Sequence, residues 1–107
     1  MKIVAKGRAS RGELDPQLLL SVLTAVKKGD FTARMPLDWT GIDGKIADAL
    51  NDIIALNDKA SLDIDRIGRV VGKEGKLATR IPLGSVGGAW ARQIESVNAL
   101  ISDLVWP

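Results

Sequence analysis

The side chains able to do chemistry are few in kind. Asp38, Asp43, Asp48 and Asp52 form the densest group. Carboxylates at such spacing suggest an acid/base pair or a hard-cation site. Asp48 and Asp52, however, stand four apart on a helical pattern, away from Ile46, Leu50 and Ile53, so a solvated face accounts for them. The run Gly68-Arg-Val-Val-Gly-Lys-Glu-Gly-Lys76 has the look of a phosphate loop. That loop requires Gly-x4-Gly-Lys-Ser/Thr after a strand; here no Ser or Thr follows Lys73, and a helical pattern precedes it. Gly68 and Gly72 also form Gly-x-x-x-Gly, whose dimer meaning belongs to membrane helices. In a water-soluble helix each glycine costs about 1 kcal/mol, which makes this end easy to remodel. The chain has no Cys and no His. Thiol or imidazole nucleophiles, disulfides and thiolate or imidazole metal sites are therefore excluded, as is phosphotransfer through histidine. The chain is expected to be non-catalytic, with no metal and no cofactor.

With 107 residues, 46% hydrophobic and 26% charged, the sequence has the composition of folded, soluble protein, either one ordinary domain or two very small ones. The net charge of +2 has a location: Lys2, Lys6, Arg8 and Arg11 stand in a stretch without acids. Residues 1–14 read as a basic, flexible tail; a nucleic-acid arm is the rival, but it has no aromatics for stacking, and no nucleic-acid partner is expected. No apolar run approaches the ~18–20 residues of a membrane span, and no signal-peptide core follows Met1, so a cytoplasmic location is expected, with no membrane insertion by this segment.

The chain repeats itself. Gly29-Asp-Phe-Thr-Ala-Arg-Met-Pro-Leu37 and Gly75-Lys-Leu-Ala-Thr-Arg-Ile-Pro-Leu83 share Gly-x-apolar-x-x-Arg-apolar-Pro-Leu, at an offset of 46 (75 minus 29). Upstream, Val22 and Val26 match Ile67 and Val71 at an offset of 45; downstream, Leu50-Asn51 matches Val97-Asn98 at 47. One residue is thus gained on each side of the second motif. Such a repeat is one supersecondary unit used twice, here residues 15–59 and 60–107.

Each unit reads helix, connector, helix. Asp15 caps and Pro16 opens the first helix; Leu19, Val22 and Val26 are helically spaced, and Gly29 ends it. Phe31, Ala33, Met35 and Leu37 then alternate, as in an extended segment, and Pro36 keeps Met35 out of the helical region. Gly75 and Pro82 repeat these boundaries. From Lys45 to about Gly72 a single helix of roughly 42 Å is expected, at ~1.5 Å per residue. Its seam carries Leu50, Asn57, Ile64 and Val71 at a, and Ile46, Ile53, Ala60 and Ile67 at d. Trp90, Ile94, Val97, Ile101 and Leu104 give the last helix the same 4,3,4,3 steps. Asn57 is either a buried polar a residue fixing register or a rim residue beside an inward Leu56. Trp39 caps the bundle end or offers an exposed contact. Trp106 continues the seam or meets a further unit.

Such a seam needs a partner, because units of about 46 residues sit near the size at which domains require help. A long, partly extended connector returns the chain along its first helix and makes the second parallel to it. Two chains then form a parallel four-helix bundle, with Phe31 and Met35, and likewise Leu77 and Ile81, pinning the connectors into its grooves.

These residues resemble the HAMP domain: Gly29, Phe31, Met35, Pro36, Gly41-Ile-Asp-Gly44 and Leu50-Asn51, then Gly75, Leu77, Ile81, Pro82, Gly87-Gly88 and Val97-Asn98. The resemblance spans residues 15–107, and the fused arrangement is similar to the poly-HAMP arrays of hybrid sensor histidine kinases. It implies an all-α, parallel homodimeric four-helix coiled coil, two units in series sharing a central helix. Its implied role is relaying conformational change between sensor and kinase modules in two-component signalling; a static dimerisation scaffold is the alternative. The family often has Asp-Glu-x-Gly at its second helix. The first unit lacks the Glu, and the second, with Gly87-Gly-Ala-Trp90, lacks any acid. An acid there favours the helix N-terminus, so the last helix is expected to start less firmly.

Overall fold

In the computed structural model, which describes residues 12–105, the chain is all-α, and no strand occurs among the described residues. Helix α1 spans Pro16–Lys27, α2 Gly41–Ile67 and α3 Gly88–Val105; a π-helical segment, Gly68–Lys73, follows α2 directly. The chain divides into two compact units between Ala60 and Ser61, and α2 runs through the division. The basic residues Lys2–Arg11 and Trp106 lie outside the described residues.

Local chemistry sets the helix ends. Asp15 accepts from the Gln17 amide (3.0 Å) and the Leu18 amide (3.4 Å), and Pro16 supplies a helical φ at no hydrogen-bond cost. At the other end Gly29 takes φ +92°, which only glycine adopts freely. The Asp30 amide then donates to the Ala25 carbonyl and the Gly29 amide to the Val26 carbonyl, each at 2.9 Å, a Schellman closure. Helix α2 starts at Gly41 rather than Lys45, because the Gly44 amide already reaches the Thr40 carbonyl at 3.2 Å.

The first unit packs α1 and the connector against α2. Val22, Ala33, Met35, Trp39, Ala47 and Ile54 form its core, with Leu18, Leu19, Val26, Phe31 and Leu50 packed around it. The expected alternation holds for Phe31, Ala33 and Met35 and stops at Pro36, which is itself buried; Leu37 is left 84% exposed. Trp39 is buried among the core residues, so it closes the first unit rather than offering an exposed contact. In the second unit the buried apolar residues are Val71, Ile81 and Ile101.

Candidate functional site

The feature common to both units is a clamp on the connector. In the first unit the Asn51 side chain brackets one residue: the Met35 amide donates to Asn51 Oδ1 (2.7 Å), and Asn51 Nδ2 donates to the Met35 carbonyl (3.1 Å). In the second, the Ile81 amide donates to Asn98 Oδ1 (2.8 Å) and Asn98 Nδ2 to the Ile81 carbonyl (2.9 Å). The prolines account for it. Pro36 and Pro82 hold the preceding residue extended, so neither Met35 nor Ile81 can satisfy its amide and carbonyl within a helix. Both side chains are buried, at 2% and 3% exposure. A carboxamide has the acceptor and donor spaced to satisfy both groups at once, which a carboxylate or hydroxyl cannot match.

A repeated arginine completes each clamp. Arg34 Nη1 donates to the Phe31 and Ala33 carbonyls (2.6 and 2.7 Å), and Arg80 Nη1 to those of Leu77 and Thr79 (2.7 Å each). The guanidinium turns back on its own connector and folds it into a loop. Arg80 also reaches Ser102 Oγ at 3.2 Å, at the position where the first unit has Ala55.

The first unit has two further ties. The Leu14 amide donates to Asp43 Oδ2 (2.9 Å), and the Thr40 amide to the Gly12 carbonyl (3.0 Å). Gly12–Leu14 are thereby held against the start of α2, ahead of the Asp15 cap. Asp43 thus serves an amide ahead of α1 as well as the α2 dipole. The corresponding position in the second unit falls at Lys59, inside α2, where the amide belongs to the helix ladder. No acid is required there, and Trp90 stands in its place. At Gly44 an added Cβ would lie 2.4 Å from the Trp39 carbonyl oxygen, so the connector passes where only glycine fits.

Of the sequence-predicted anchors, Met35 and Ile81 are buried, and Phe31 packs on the core. Leu77 is more open than expected, at 37% exposure. Among seam residues Val71 and Ile101 are buried, whereas Leu50, Asn57, Ala60, Ile67, Trp90, Ile94 and Val97 are half-buried. Ile46, Ile53 and Ile64 are exposed, at 41%, 50% and 52%. The buried α2 residues of the first unit are Ala47 and Ile54, one position round from Ile46 and Ile53. In the first unit the chain therefore draws Ala47 and Ile54 of the neighbouring stripe into its own interior and leaves Ile46 and Ile53 of the seam exposed, with Leu50 packed at the edge of the core. Asn57 Nδ2 donates to the Ile53 carbonyl (2.9 Å), a bond within its own helix.

The clamp asparagines went unassigned in the sequence reading, although Asn51/Asn98 and Ile54/Ile101 share the offset of 47. Among the described residues no cluster of acids fit to hold a metal occurs, and no helix is long and apolar enough to cross a membrane. No family model matches the chain, and no solved structure matches it either.

Proposed function

We propose that the chain is a non-catalytic signal relay of HAMP type: two units in series, acting as a parallel homodimer between the sensor and kinase modules of a cytoplasmic histidine kinase. The observation that carries this reading is the division of labour on α2. Each connector is clamped to its own unit by the same asparagine and arginine, while Ile46, Ile53 and Ile64 stay open along a heptad line. Leu20 and Leu23 of α1 are likewise exposed. A second copy covers these residues in a four-helix core. A relay passes a signal when two packings of that core differ by a few kcal/mol and both neighbours bias them. Sedimentation equilibrium tests the reading. The chain is expected to sediment as a dimer, and Ile53→Asp, which places an unpaired charge on the seam, as a monomer. A wild-type monomer at tens of micromolar, or a dimer unaffected by Ile53→Asp, refutes it.

A further inference from the structure

The two units end their first helix differently, and the difference has a sequence cause. In the first unit the closing bonds run from Asp30 to Ala25 and from Gly29 to Val26. In the second they run from Lys76 to Val70 and from Gly75 to Val71, each at 3.1 Å. The acceptors correspond at the offset of 45 and the donors at 46. The repeat has therefore kept the same four partners, and the extra residue lies between Val71 and Gly75. It is accommodated by widening the last turn: the Glu74 amide bonds to the Arg69 carbonyl, five residues back, at 3.1 Å. That widening is the π segment Gly68–Lys73. A π turn is rare in helices and is found frequently at functional sites. Its surroundings are permissive. An added Cβ at Gly68 or Gly72 would meet nothing within 4 Å, and the ion pairs around Glu74, to Lys76 (3.1 Å) and Arg69 (4.0 Å), are exposed and hold it weakly.

We propose that Gly68–Lys73 is a one-residue register device: the surplus residue passes between the helix, where it makes the π turn, and the connector, which leaves an α-helical end. Each passage turns the helix end by about 100° and shifts it by about 1.5 Å relative to a connector fixed by Asn98 and Arg80. Val71, the buried residue of the segment, moves into or out of the core with it. The first unit has no surplus residue and no such freedom. The device is a property of the chain by itself; its use in signalling rests on the relay reading above.

The test uses the full chain. Relaxation-dispersion NMR is expected to find microsecond-to-millisecond exchange confined to the amides of residues 68–77, with none at Lys27–Phe31. Deletion of Gly72 turns the wide turn into the closure of the first unit with the same partners. Couplings across the Lys76–Val70 and Gly75–Val71 hydrogen bonds should persist, the exchange should vanish, and the folded core should remain. Gly72→Ala keeps the length and favours the helical form, shifting the exchanging populations about fivefold towards it. Absence of exchange in the wild type, loss of the second unit's fold on deletion, or unchanged populations in Gly72→Ala overturns the proposal. Sedimentation separates the two readings. A monomer that shows the exchange removes the relay and keeps the device, whereas a dimer without exchange removes the device alone.

Discussion

Replacing a clamp asparagine by alanine isolates what the side chain does. Asn51→Ala strips the Met35 amide and carbonyl of their partners at 2.7 and 3.1 Å while leaving α2 with a better helix former. A buried backbone group left unsatisfied costs about 1–3 kcal/mol. Asn51 is half-buried, so water relieves part of this, and the net loss is about 2 kcal/mol, or roughly 30-fold in the unfolding equilibrium. Asn98→Ala should cost the second unit the same. The control is Asn57→Ala, which breaks only a bond to its own helix and is expected to stay within about 0.5 kcal/mol. Urea unfolding at fixed protein concentration reads the difference, with Trp39 reporting on the first unit and Trp90 on the second in chains retaining one tryptophan. At urea slopes of about 1–2 kcal/mol/M, the clamp variants should lose about 1–2 M in midpoint without a change in slope. Equal midpoints for Asn51→Ala and Asn57→Ala would refute the clamp.

Two further outcomes follow from the first unit. Gly44→Ala sets a Cβ against the Trp39 carbonyl and is expected to cost about 1–3 kcal/mol in thermal unfolding, with a red shift of the buried Trp39 emission; an unshifted melt contradicts the close approach. The Thr32 hydroxyl and amide hold the Asp30 carboxyl below its ordinary value. A group depressed in the folded state adds stability above its unfolded pKa and loses it as pH falls through the folded one, so this contribution disappears only in acid. Carbon-detected titration should give Asp30 a midpoint below that of an ordinary aspartate, rising in Thr32→Ala; an ordinary midpoint in the wild type contradicts it.

The sequence made the helix ends and the repeat legible because their signals are local. Asp15-Pro16 and Gly29 act through bonds to their immediate neighbours, and the Gly-to-Leu motif repeats in one stretch. The clamp escaped because it joins residues sixteen and seventeen positions apart, and a polar residue beside Leu50 or Val97 reads as the edge of an apolar stripe. The surplus residue was visible as the change of offset from 45 to 46, but spacing alone does not say whether an extra residue enlarges a loop or widens a helical turn. The heptad seam stood out because Ile46, Ile53 and Ile64 are large; the chain's own interior runs through Ala47 and Ile54, one step round, where the alanine hides the pattern.

Cysteine crosslinking tests the parallel pairing most directly. The chain has no native cysteine, so a single introduced thiol reports only on itself. Ile53→Cys should oxidise rapidly to a same-residue disulfide dimer, since paired seam positions bring Cα atoms within the roughly 7 Å that a disulfide spans, and Ile67→Cys should do the same. Asp52→Cys, exposed beside the seam, should crosslink far more slowly. Equal, slow rates at positions 52, 53 and 67 would mean that no second copy lies along α2.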